Sequence, residues 1–166
     1  GVSALTIEDT ALPIGFGGAK GEEPLISLEE GIGKMRAALA ARQDPSLVVM
    51  GRTSALRIGG IPEAVRRVKA YEKVGVDAIF LAGARTRKEI EAVHAETKLP
   101  LLLGGATGEL TDREFLGANG VRIALQGHLS FQASVKAVYD TLKALRDGKS
   151  PADLRPTLAS PELMGQ

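Results

Sequence analysis

Cysteine and tryptophan are absent from this chain, and aromatic residues make up only 4% of it. Without cysteine there is no disulfide framework, no thiolate metal site and no cysteine nucleophile. The absence is compatible with the cytoplasm, the expected compartment. Few aromatics beside 20 glycines disfavour an aromatic-cored β-sandwich and suit an α/β protein with many short turns. Charge of one sign is not in excess: 21 Lys and Arg stand against 20 Asp and Glu, a net charge of +1. That balance points to no nucleic acid and no anionic membrane as partner. No apolar run approaches the ~20 residues of a membrane-spanning helix. The 166 residues amount to roughly one domain with enough chain for a real core.

Two kinds of apolar pattern alternate along it. Short, nearly continuous runs at 2–8, 47–51, 77–83, 100–105 and 121–127 read as strands of a parallel sheet buried on both faces. Stretches of helical period separate them. Residues 27–42 place Leu28, Ile32, Met35, Ala38 and Leu39 on one side, and Ser27 with Glu30 makes a capping-box pattern. Residues 60–75 carry a stripe of Ile61, Ala64, Val65, Val68 and Tyr71, with Pro62 in the first turn and Gly75 past the end. Further helices are predicted over 85–97, 111–120 and 130–148. The resulting β-α order, repeated five times, argues for right-handed crossovers and a parallel sheet. Residues 149–166 hold three prolines and read as an extended tail with a short helix at its end.

An open doubly wound sheet and part of a (β/α)8 TIM-type barrel both fit this order. A whole barrel takes about 250 residues. The chain opens with "GVSALTIEDT", almost at once inside a core strand. The expectation is therefore the last five βα units of a barrel over 1–148, with about three units ahead of Gly1.

In either fold a ligand lies beyond the C-terminal ends of the strands. Those ends carry Glu8, Asp9 and Thr10; Arg52, Thr53 and Ser54; Gly83, Ala84 and Arg85; Gly104 and Gly105; and Gln126, Gly127 and His128. Such a rim suits a small anionic ligand with a hard cation. Glu8 and Asp9 either face that pocket or serve as strand-end charges. Arg52 is either a carboxylate-binding fork or a snorkelling surface residue. His128 either reaches the ligand or caps the fifth helix, whereas His94, inside the third, reads as a solvated or core-edge residue. "PIGFGGAKGEEP" at 13–24 contains Gly15, Gly17, Gly18 and Lys20. It lacks the G-x-x-x-x-G-K-[ST] phosphate loop and reads as a flexible lid.

"ALTIEDT", "EEGIGKMRAALAAR", "VVMGRTSAL" and "IPEAVRRVKAYEKVGVDAIFLAG" resemble the isocitrate lyase/phosphoenolpyruvate mutase superfamily. "IEDT" followed by "LP", a lid without cysteine and "GVRIALQGH" are most similar to its oxaloacetate decarboxylase branch. The resemblance implies a carbon-carbon lyase: Mg²⁺-dependent (or Mn²⁺-dependent) decarboxylation of oxaloacetate to pyruvate and CO2 through a metal-stabilised enolate. It implies that Glu8 holds a metal-bound water in the outer shell and that Arg52 binds the carboxylate of a small α-keto acid. It places His128 beside the substrate, making Arg52 and His128 the candidate catalytic and substrate-binding residues. Direct metal ligands would be aspartates on strands ahead of Gly1. It also implies a homo-oligomer, a dimer or tetramer exchanging the last barrel helix.

Two departures keep alternatives open. "IGFGGAKGEE" replaces the lysine-cysteine-glycine-histidine lid of the lyase branches, and "LLLGGATGEL" lacks the tyrosine that can follow the seventh strand. A methylisocitrate- or dimethylmalate-type lyase, a phosphonopyruvate or carboxyphosphonoenolpyruvate mutase or hydrolase, and a non-enzymatic α/β binding module are the other readings.

Overall fold

A computed structural model describes residues 1–12 and 23–165. Five parallel strands form one sheet: β1 (Ala4–Glu8), β2 (Val48–Thr53), β3 (Ala78–Leu81), β4 (Leu101–Leu103) and β5 (Val121–Ala124). Their order in space is their order in the chain, β1-β2-β3-β4-β5. This order decides between the two architectures. A doubly wound sheet reverses at a switch point, whereas here each crossover steps to the next strand in the same direction. With right-handed crossovers every helix that links two strands then falls on one face, as in a barrel wall.

Parallel register aligns side chains in rows that share a face. One row runs Ile7, Gly51, Ile79, Leu101, Val121, and the next runs Glu8, Arg52, Phe80, Leu102, Ile123. The first row faces the helices α1 (Leu28–Ala41), α3 (Gly60–Val74), α4 (Arg87–His94) and α5 (Arg113–Ala118). There Ile79, Leu81, Leu101 and Leu103 pack with Met35, Val68, Tyr71, Ile90, Val93 and Leu116 in the main core. The second row belongs to the inner face, where Met50, Ala78, Phe80 and Leu102 form a smaller cluster.

Local chemistry starts and stops the helices. Ser27 Oγ accepts the Glu30 N–H at 3.0 Å ahead of α1, satisfying an orphan donor of its first turn. α3 ends on Gly75 at φ 102°, a left-handed conformation that favours glycine. Gly31 and Gly51 bring α1 and β2 onto Tyr71. A Cβ would stand 2.5 Å from the Tyr71 hydroxyl at the first position and 3.1 Å from its ring at the second.

The sequence did not indicate α2 (Ala55–Ile58). A four-residue turn is too short to show a 3.6-residue period.

The chain divides into two units, Gly1–Gly127 and His128–Gln166. The second holds α6 (Leu129–Arg146), α7 (Pro151–Leu154), a 3₁₀ turn (Arg155–Thr157) and α8 (Pro161–Met164). α7 and α8 start on proline, where no N–H partner is required. The segment is thus more helical than its prolines suggest. No residue of α6 is buried. Its apolar stripe of Phe131, Val135, Val138, Leu142 and Leu145 is exposed. Among the described residues no helix is long and apolar enough to cross a membrane.

Candidate active site

The end of β1 separates two neighbouring carboxylates. Successive strand residues point to opposite faces, so Glu8 joins the inner row and Asp9 turns outward. Glu8 is the register partner of Arg52, and Arg52 Nη2 lies 2.8 Å from Glu8 Oε2. Thr10 Oγ1 donates to the other oxygen, Glu8 Oε1, at 2.5 Å. Lys34 Nζ donates to the Glu8 carbonyl oxygen at 2.5 Å. The ion pair is partly open to solvent, the Arg52 side chain being 35% exposed and that of Glu8 24%. Such a pair adds only ~0–1 kcal/mol to stability.

Arg52 also stands over Phe80, 5.0 Å from the ring centroid, a cation–π contact. Phe80 has room because position 104 is glycine. A Cβ there would stand 3.0 Å from the ring edge. The guanidinium is thus held by a carboxylate in its own row and by an aromatic face. Its Nε is buried and has no partner among the described residues. An oriented fork with a spare donor is equipped to meet an anion.

Asp9 behaves differently. It is fully buried. Its Oδ1 accepts the Ser54 N–H at 3.1 Å, and its Oδ2 accepts from Arg67 Nη1 at 3.1 Å and from the Tyr71 hydroxyl at 3.0 Å. Of the two sequence readings, the strand-end charge holds for Asp9. Arg67, absent from the sequence candidates, has a readable signal. It sits on the apolar side of its helix, next to Val68 and between Ala64 and Tyr71 in the stripe. Burial works against its charge, yet hydrogen bonds to Glu63 and Tyr71, with Asp9 nearby, hold its pKa above the ordinary value. Burial, reinforced by Asp9, pushes the Tyr71 phenol well above its usual range. Hydrogen bonds from Arg66 and Arg67 hold Glu63 below the ordinary carboxylate value.

His128 stands at the N-cap position of α6, exposed, and its side chain makes no capping hydrogen bond. It belongs to the second unit. Gly15, Gly17, Gly18 and Lys20, the predicted lid, lie outside the described residues. The chain on either side of that segment is tied. Ala11 N–H donates to Pro24 O at 2.9 Å, Ile26 N–H to Asp9 O at 3.0 Å, and Thr10 bridges Leu25 in antiparallel fashion.

The donor set tests the implied cation. Mg²⁺ demands six oxygens in near-octahedral geometry and keeps several waters. Among the described residues no cluster of three or more His, Asp or Glu exists. Among the described strand ends the inner row supplies Glu8, whose two oxygens already meet Thr10 and Arg52. A carboxylate has about four acceptor sites, so Glu8 has capacity to accept from a water of the cation. It fits an outer-shell role and does not make a cage by itself.

Residues 1–146 match the family described as phosphoenolpyruvate phosphomutase. The chain belongs to that family. Among relatives of this phosphomutase-family chain is the oxaloacetate decarboxylase of Bradyrhizobium diazoefficiens. It is 55% identical over 163 residues, which is 98% of this chain and 56% of the relative. The chain thus spans about half the length of the curated relatives it matches. The phosphoenolpyruvate phosphomutase from Streptomyces platensis subsp. rosaceus superposes with a TM-score of 0.79 at 28% identity, covering 99% of this chain and 60% of that one. A phosphonopyruvate hydrolase solved with oxalate and Mg²⁺ superposes at 0.77 with 35% identity, over 99% and 58% of the two chains.

Proposed function

We propose that this chain carries the second half of a Mg²⁺-dependent oxaloacetate decarboxylase. The observation that carries the reading is Arg52: a forked cation at a strand end, oriented by Glu8 and Phe80, with its Nε unpartnered among the described residues. The relatives named oxaloacetate decarboxylase at 55% and 52% identity support the substrate. The hydrolase that binds oxalate with Mg²⁺ supports the ligand class and the cation.

Arg52 binds and orients the C1 carboxylate of the α-keto acid with its fork. Its positive charge stays close as the C4 carboxylate leaves and electron density moves onto the C2 oxygen, which favours the enolate. Glu8 keeps Arg52 aligned and would accept from a water of the cation. The Phe80 ring closes the floor under the guanidinium against water. Mg²⁺, or Mn²⁺ in its place, supplies Lewis acidity at the C2 carbonyl when bound. The exposed apolar stripe of α6 supports a homo-oligomer, dimer or tetramer, that covers it by exchanging this helix.

The test is pyruvate release from oxaloacetate by the purified whole protein that carries this chain, with and without Mg²⁺, beside Arg52→Ala. Metal-dependent turnover lost by at least about 100-fold in the variant is the expected result. A folded wild-type protein no faster than metal alone overturns the reading. Phosphonopyruvate hydrolysis, favoured by the 35% identity to that hydrolase, is then the reaction to assay, by phosphate release.

A further inference from the structure

We propose that Asp9 and Arg67 form a buried positioning clamp that sets the geometry of the Glu8–Arg52 rim from behind the sheet. The inference rests on the decarboxylase reading of that rim.

Four pieces of chain meet at this pair. Asp9 follows Glu8 directly. Its carboxylate holds the Ser54 N–H at 3.1 Å, two residues past Arg52. The register between β1 and β2 ends at Glu8 and Arg52, so this side chain continues the cross-link one step beyond the sheet. The Asp9 carbonyl oxygen accepts the Ile26 N–H at 3.0 Å, where the chain returns to start α1. Arg67 engages the same places with every arm of its fork. Nη1 meets Asp9 Oδ2 at 3.1 Å and the Tyr71 hydroxyl at 3.3 Å, Nη2 donates to Ile26 O at 2.7 Å, and Nε donates to Glu63 Oε1 at 2.7 Å. Tyr71 completes the clamp through Asp9 Oδ2 and is itself wedged against Gly31 and Gly51.

Stability is a poor reason to build such a site. A buried ion pair often contributes no more than well-packed apolar residues would. Its placement supplies another reason. Asp9, through its carboxylate and its carbonyl oxygen, and Arg67 together hold the residue after Glu8, the turn after Arg52 and the chain at Ile26. Arg67 and Asp9 are 3% and 0% exposed and lie on the face opposite the rim, so neither touches substrate. They act on it through the backbone. A reactive constellation tolerates little play, and a misplacement of about 1 Å can cost ~100-fold in rate.

The experiment takes the purified protein with Arg67→Lys, which keeps the charge but loses the fork, and with Tyr71→Phe, which removes one hydrogen bond to Asp9. Both are combined with Arg52→Lys in double-mutant cycles. The expected result for Arg67→Lys is a folded protein whose kcat on oxaloacetate falls by about tenfold or more while KM moves little. Tyr71→Phe follows the same pattern more weakly. Both are non-additive with Arg52→Lys although neither touches it. Amide hydrogen exchange accelerates at residues 8–11, 26 and 53–55 and not in β4. A lowered melting temperature with kcat unchanged and additive cycles overturns the clamp. Should Arg67→Lys not fold, Tyr71→Phe decides by the same measures. Should the wild type show no metal-dependent turnover, the decarboxylase reading falls. The clamp is then judged by hydrogen exchange alone, and unchanged exchange at those sites overturns it.

Discussion

Glu8 and Asp9 are adjacent acids with opposite fates. On the inner face, Glu8 and Arg52 are partly exposed and leave a buried Nε without a partner among the described residues. On the outer face, Asp9, Arg67 and Tyr71 are buried and satisfy one another. A network with all its hydrogen bonds made specifies structure. A charged group oriented by its neighbours and left with capacity invites a ligand. At a strand end, completeness of partnering separates scaffold from site better than residue type does, since both networks are made of an acid, an arginine and a hydroxyl.

The comparison is broken most directly by deleting one acid at a time. Asp9→Ala leaves the Arg67 charge buried against one fewer carboxylate. It should lower stability by about 3–5 kcal/mol, whereas Glu8→Ala should cost about 1 kcal/mol or less. Urea unfolding of both checks this, and equal losses would erase the distinction. A smaller effect is expected where the outer network is packed. Gly51→Ala drives a methyl into the Tyr71 side chain at 3.1 Å and should cost about 1–3 kcal/mol, read as a lowered melting temperature. The smallest effect is alkaline. In the unfolded chain a tyrosine loses its proton near pH 10, while burial keeps Tyr71 protonated to higher pH. Above about pH 10 the folded state therefore holds one more proton, and its stability falls as pH rises. The stability difference between wild type and Tyr71→Phe, measured by urea unfolding, should narrow from pH 9 to pH 11.

Much of this was legible in the residues. Five apolar runs and five helical stretches appear close to where they were predicted, with ends shifted by a few residues. Arg52 and Glu8 were both legible as strand-end candidates, while the sequence left Asp9 open between the pocket and a strand-end charge. Arg67 had its signal in the apolar stripe of its helix. The platform under Arg52 had none, because Phe80 reads as one more strand residue and Gly104 as one more turn. α2 was too short for periodicity to show.

Element type and order, the parallel sheet and the residues at the strand ends followed from the sequence by itself, because side-chain period and capping are settled within a few neighbours. The tertiary structure alone decided that the sheet never reverses, that Glu8 lies opposite Arg52, and that Asp9 finds Arg67 and Tyr71, 58 and 62 residues away. Those choices depend on how strands register and helices pack across the whole sheet, and no local pattern carries that information.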